Sequence, residues 1–265
     1  MENCTYGFGP STSTIALPTL KSLAVVPRRY TSRHYTLIVT SPRVTCLRLF
    51  LPFTRTHAAA VRIAPEGREV LESLVSASIS ILDMEQEPNH LNRRMNKHKV
   101  DFLTSTRSML DRFPNVRNLD LSGFTTIALL DKKSQEFPML QNLRTLLLSD
   151  CDVGVRCHAL RSILLNAPNL EHLRLQHCKF IDTPKRKRGN TKSKAKPSMC
   201  LDSLSSLCKN LQSMEIKWQL VDIGLQHLVE FIKEILTGRK LHFKRTIRGG
   251  MITVSIQIRS RTSIA

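Results

Sequence analysis

The sequence predicts an α/β fold in which short parallel strands stack side by side, and three observations predict it. First, the stretches Phe113-Pro-Asn-Val-Arg-Asn-Leu-Asp-Leu121, Leu140-Gln-Asn-Leu-Arg-Thr-Leu-Leu-Leu148 and Ala167-Pro-Asn-Leu-Glu-His-Leu-Arg-Leu175 share an x-x-L-x-x-L-x-L core. Second, their central leucines Leu119, Leu146 and Leu173 are spaced by 27 and again 27 residues. Third, apolar residues at helical spacing stand between them. A fixed period of this size with this core is the signature of leucine-rich repeats. One such unit cannot bury its apolar edge alone, whereas stacked units share a continuous core and leave an outer surface free. The expected architecture is therefore a solenoid of about six or seven irregular repeats. Strands should line a concave face, with helices or loops on the convex one.

In chain order, residues 1–14 form an N-terminal extension and residues 15–237 the repeat domain. Leu17 to Val25, Ser41 to Leu49, Leu74 to Ile81 and Cys208 to Ile216 fit the same template more loosely. The central positions are then Leu23, Leu47, Ile79, Leu119, Leu146, Leu173 and Met214. The two longest gaps hold extra residues. One contains a polar stretch, 83–99, and the other a basic insertion, 183–198, looped out where such arrays tolerate extra residues. Leu160, Ile163 and Leu164 predict a helix stopped before Pro168, and Val100, Leu103, Met109, Leu110 and Phe113 another ended by Pro114. Val221, Leu225, Leu228, Val229, Ile232, Ile235 and Leu236 form a further apolar stripe, with Asp222 and Gly238 as its caps. Residues 238–265 are a basic C-terminal tail. There Ile252, Val254, Ile256 and Ile258 alternate after Gly249-Gly250, so a hairpin at the edge and a disordered tail are both open readings.

In each strand the residue between the two core positions points outward. Arg48, Ser80, Asp120, Leu147, Arg174 and Glu215 are thus expected on the concave face. Asn118, Thr145, His172 and Ser213 precede the central positions, and Ser122, Ser149, Gln176 and Lys217 lie beyond them. His172, Arg174 and Gln176 offer donors on one strand and are the first candidates for contact with a partner. Each is also what an ordinary solvated strand residue looks like.

The net charge of +19 suggests acidic partners or nucleic acid. Much of it is local: Lys185, Arg186, Lys187, Arg188, Lys192, Lys194 and Lys196 lie close together without an acidic residue. The run resembles a nuclear-import signal, which predicts a nuclear or cytoplasmic protein. No aromatic residue interrupts it, so bases have no stacking platform there. The seven cysteines form no C-x-x-C pair, no secretory leader or membrane-length apolar run is present, and a reduced, intracellular chain is expected. Cys151 and Cys178 each come three positions after a strand and are expected as buried turn residues. His177-Cys178 and Cys157-His158 do not form a zinc site, because neighbouring strand side chains point to opposite faces. No phosphate loop, nucleophile elbow or paired carboxylates stand out, so neither enzyme, metal nor cofactor is expected.

Leu119-Asp-Leu-Ser-Gly-Phe124, Glu136 through Asp152 and Ala167 through Phe180 are similar to the repeat region of plant F-box/LRR proteins, particularly those of grasses. Ala64-Pro65 and Ser73 to Ile81 also resemble that family's Ala-Pro-x-Leu-Val-Ser-Ala pattern. The resemblance implies a protein-protein recognition module, the substrate-binding part of an SCF ubiquitin-ligase subunit. In that family the repeats hold a protein target, while an F-box docks a Skp-type adaptor of a cullin ligase. No F-box pattern is found here, since a repeat-like segment already occupies Leu17 to Val25. Adaptor and cullin are therefore expected as partners only where an F-box is supplied upstream. The alternatives are a basic nuclear protein that binds nucleic acid and a truncated repeat protein without ligase association.

Overall fold

The computed structural model describes residues 3–7, 11–26, 35–53, 59–63, 71–83, 102, 106–124, 129–130, 136–154, 157–179, 209–219, 228, 230–233, 236, 240–249 and 251–259. The fold is mixed α/β, with a mostly parallel sheet and few helices. In chain order the strands are β1 (Asn3–Gly7), β2 (Ser11–Ile15), β3 (Ser22–Val26), β4 (Tyr35–Val39), β5 (Cys46–Phe53), β6 (Ala59–Ile63) and β7 (Ser76–Asp83). They continue with β8 (Asn118–Ser122), β9 (Thr145–Ser149), β10 (His172–Gln176), β11 (Ser213–Gln219), β12 (Lys240–Arg248) and β13 (Met251–Arg259). Helix α1 spans His158–Asn166, and a 3-10 turn spans Leu110–Arg112.

Ten strands form one sheet in the order β1-β3-β5-β7-β8-β9-β10-β11-β13-β12. The first eight are parallel, and the last two join antiparallel. The leucine pattern sets the register. Leu23, Leu47, Ala77, Leu119, Leu146, Leu173 and Met214 lie side by side across seven strands, all buried. Val25, Leu49, Ile79, Leu121, Leu148, Leu175 and Ile216 form a second buried row two residues on. Each full burial of such a side chain contributes about 1.5–3 kcal/mol, so the rows form the main apolar seam of the fold. A third buried set, Leu20, Val44, Leu74, Val116, Leu143, Leu170 and Leu211, lies just before the strands. In six of these turns the amide of that residue donates to the carbonyl three positions back, as Leu143 does to Leu140 at 3.2 Å and Leu170 to Ala167 at 3.1 Å.

Ala77, not Ile79, is the third central position, a correction to the sequence alignment. A shift of two residues keeps every side chain on its face, so alternation alone does not reveal it, and Ala77 is too small to register as the leucine-like residue. In consequence Ser78, not Ser80, sits between Arg48 and Asp120, and Ser80 pairs with Ser122.

The chain does not return only through helices and loops. Strands β2, β4 and β6 pair in parallel as a separate three-stranded sheet. Their sequences STSTI, YTLIV and AAVRI carry β-branched residues, which favour a pleated strand over a helix. The segment expected as an N-terminal extension contributes β1 and β2 to the two sheets. Helix α1 forms where Leu160, Ile163 and Leu164 predict it, and all three are buried. Residue 102 and residues 106–108 are helical ahead of the 3-10 turn. Residues 228 and 230–233 are helical too, with Leu228, Phe231, Ile232 and Leu236 buried, and Phe231 lay outside the apolar stripe read from the sequence. The stripe's Val221, Leu225, Val229 and Ile235, the stretch 84–99 and the insertion 183–198 lie outside the described residues.

Candidate functional site

The outward faces of the strands make one continuous surface. Its central row runs Ala24, Arg48, Ser78, Asp120, Leu147, Arg174, Glu215, Ser255 and Lys244, each beside the next. The structure therefore brings together Arg48, Asp120, Leu147, Arg174 and Glu215 in a single row. A second row, Ser76, Asn118, Thr145, His172 and Ser213, flanks it on one side. A third, Ser80, Ser122, Ser149, Gln176 and Lys217, flanks it on the other. Strand neighbours stand about 4.8 Å apart, which puts Arg48 and Arg174 each about 10 Å from Asp120 on opposite sides.

Local contacts orient several of these groups. The Lys217 ammonium pairs with the Glu215 carboxylate at 2.8 Å along β11, and the His172 Nδ1 and Ser213 Oγ share a hydrogen bond of 2.8 Å across β10 and β11. One residue before the strands, the Arg144 guanidinium pairs with the Glu171 carboxylate. Partial burial raises the Asp120 carboxyl above its ordinary value, and the positive charges of Arg174 and Arg48 lower it by less. The surface offers fixed donors and acceptors of both signs together with a half-buried apolar Leu147, a composition suited to recognition of another polar surface.

Along the lower edge of the sheet, asparagines link the turns ahead of β8, β9, β10 and β11 each to the one before it. Asn142 Nδ2 donates to the Pro114 carbonyl and to Asn115 Oδ1, both at 3.1 Å. Asn210 Nδ2 does the same to the Pro168 carbonyl and Asn169 Oδ1, again at 3.1 Å. Asn115 and Asn169 in turn donate to the carbonyls of Glu72 and Gln141 at 2.8 Å. Sequence reasoning did not use these residues, although the signal was present: an asparagine stands directly before the first apolar position of each of these repeats.

The upper edge closes on buried thiols. Cys151 Sγ donates to the Leu121 carbonyl at 3.4 Å and Cys178 Sγ to the Leu148 carbonyl at 3.3 Å, each one strand back. Burial pushes both thiols up, Cys178 to about 12. They are packing groups without thiolate character at neutral pH. Among the described residues no group of three His, Cys, Asp or Glu is placed to hold a metal ion. The basic run Lys185 to Lys196 lies outside the described residues. Sequence reasoning missed Ser78, through the register, and Ser255 and Lys244, because the basic tail was set apart from the repeats. The alternation of Ile252, Val254, Ile256 and Ile258 was the signal that could have placed β13 against β11.

Stacked, mostly parallel strands with a polar outer face define a mixed α/β scaffold. No family model matches the chain. The chain is 48% identical over 237 residues to the rice (Oryza sativa subsp. japonica) MEIOTIC F-BOX protein MOF, an alignment that takes in 89% of this chain and 48% of that protein. It spans about half the length of this relative. The resemblance to plant F-box proteins is thereby shown.

Proposed function

We propose that this chain is a leucine-rich-repeat solenoid that binds a protein target on its outer strand face, as the substrate-receptor part of an F-box/LRR-type ubiquitin ligase. The observation that carries this reading is the register. Seven strands with one buried pattern present Ala24, Arg48, Ser78, Asp120, Leu147, Arg174 and Glu215 as one ordered row. A repeated unit with varied residues at a fixed outward position is how a scaffold acquires a specific surface. The chain holds its target and performs no transfer chemistry. A Skp-type adaptor and its cullin join only through an F-box in the same polypeptide, and the relative's name as an F-box protein supports that association.

The test compares proteins captured from rice tissue by the wild-type chain and by an Arg48→Glu, Arg174→Glu variant with unchanged thermal stability. A defined protein retained by the first and lost from the second supports the reading, provided it binds the purified chain directly. Identical capture by both removes the outer face from the proposal. A fusion that supplies an F-box ahead of the chain is expected to bind a purified Skp-type adaptor, and the chain alone is not.

The net charge of +19 favours a second reading, direct binding of nucleic acid. The row at the centre of the sheet carries both signs, which suits a protein partner better. Binding to generic duplex DNA that falls steeply with salt and survives the Arg48→Glu, Arg174→Glu change would favour the second reading.

A further inference from the structure

The parallel array is closed by an antiparallel hairpin that ends in an edge. β13 pairs with β11 and β12 pairs with β13, and among the described residues no strand lies beyond β12. β12 is nine residues long. Its last residue, Arg248, pairs with Met251 across a two-residue connection, which makes that pair hydrogen-bonded. The alternation of antiparallel pairing then turns the backbone groups of Leu241, Phe243, Arg245 and Ile247 away from β13. A row of amides and carbonyls is thus left for another strand.

The side chains of β12 alternate as well. Leu241, Phe243 and Ile247 stand opposite Ile258, Ile256 and Ile252, the three isoleucines buried in the core. At the edge that apolar face runs out of cover: Phe243 is 62% exposed and Ile247 54%. On the opposite face His242 and Lys244 are exposed, and Arg245 is exposed among the apolar residues. Residues 239–261 contain seven Lys and Arg and no acidic residue.

We propose that the β12 edge, where the outer strand face ends at Lys244, is a second docking site that captures an extended acidic peptide segment of a partner protein as an added strand. The peptide backbone would pair with the groups turned away from β13. Apolar residues at alternate positions would cover Phe243 and Ile247, while carboxylates on the intervening positions meet His242 and Lys244. This is strand addition, in which the backbone supplies affinity and alternate side chains supply specificity. Charge selects the occupant. A second copy of the same edge meets like charge, which is how exposed edges avoid self-association. Nucleic acid has no backbone donors and acceptors that match a strand edge, and one exposed phenyl ring is a poor stacking platform.

The test uses the full chain and a synthetic peptide of alternating Glu and Val, nine residues long to match β12. An alternating Lys and Val peptide and a thymidine oligonucleotide serve as counterparts. The acidic peptide is expected to bind in the micromolar range, weakening as salt rises. Phe243→Ser should weaken it about tenfold or more. Arg245→Pro should do likewise, since proline removes an outward amide while the ladder to β13 stays intact. Lys244→Glu, a change at an exposed position, should weaken the acidic peptide and strengthen the basic one. Absence of binding at about 1 mM, or binding indifferent to all three variants, overturns the proposal. So does oligonucleotide binding in place of the peptide that these variants abolish, or dimerisation of the chain that they abolish.

Discussion

The strands up to β7 and those from β8 onward solve the same problem differently. On the N-terminal side β5 and β7 run for eight residues each, and β2, β4 and β6 form a second sheet. On the other side β8, β9 and β10 run for five residues and end alike. Gly123, Asp150 and His177 adopt positive φ of 77°, 53° and 53°, and Phe124, Cys151 and Cys178 then drop into the core. The left-handed residue donates its amide to the next strand: Gly123 to Ser149 at 3.0 Å, Asp150 to Gln176 at 2.8 Å and His177 to Lys217 at 2.9 Å. The strand ending therefore decides how far the pairing extends. A left-handed turn with a buried plug ends the strand, whereas β5 and β7, which lack the turn, carry on pairing to Phe53 and Asp83.

The largest way to test this contrast is to remove one leucine from the shared seam on each side. Leu146→Ala, between Leu119 and Leu173 in the regular region, is expected to cost about 2–5 kcal/mol in chemical denaturation. Leu47→Ala should fall at the lower end of that range. One of its row neighbours is already the small Ala77, so fewer contacts are lost. Equal losses would mean that both regions pack alike despite their different strand endings.

A sharper test sits at the junction. A Cβ on Gly123 would lie 2.5 Å from the Ile81 carbonyl oxygen, because β7 runs on past the point where β8 turns. Asp150 and His177 come after short strands at the equivalent position and carry side chains there; aspartate and histidine are among the residues that tolerate left-handed backbone. Gly123→Ala is expected to cost about 2–4 kcal/mol, the sum of backbone strain and overpacking. Gly249→Ala has similar strain, with φ of 55°, but meets nothing within 4 Å. It should cost about 1 kcal/mol. A Gly123→Ala loss no larger than that of Gly249→Ala would show that the close approach to β7 is relaxed in solution.

The same contrast explains what was legible in the sequence. From Phe113 to Cys178 the fixed spacing of Leu119, Leu146 and Leu173 announced the strands, their faces and their register. Helix α1 was announced by Leu160, Ile163 and Leu164. Before Gly123 the repeat length varies, and Ala77 conceals the central position, so the register slipped by two at β7 and Ser80 displaced Ser78 from the surface row. The return strands β2, β4 and β6 were missed because short β-branched segments pair with distant copies of themselves. No local periodicity records that pairing. The hairpin β12–β13 showed its alternation and its turn in the sequence. Its place beside β11 depended on contacts across the end of the sheet, which a pattern of single residues does not encode.

The smallest expected effect concerns Asp120, on the first short strand after the junction. Burial raises its carboxyl, and Arg174 and Arg48 only partly oppose that. A carboxyl raised in the folded state binds a proton more tightly there than in the unfolded chain. Between the ordinary and the raised value the folded state holds more protons, so stability falls as pH rises through that window. The cost is complete above it. Asp120→Asn should therefore be slightly more stable than wild type at pH 7 and equal to it near pH 3, as measured by denaturation midpoints. The gain stays small because the carboxyl is only partly buried and water screens it. Replacing Arg174 by Ala should enlarge the wild-type penalty, since it removes the largest opposing charge. A less stable Asp120→Asn at pH 7 would mean that the two arginines outweigh burial. Under the proposal that the outer face binds a partner, Asp120 is a candidate contact, two strands from each arginine in the central row. A partner that donates a hydrogen bond to it would recover in the complex what the free chain forgoes.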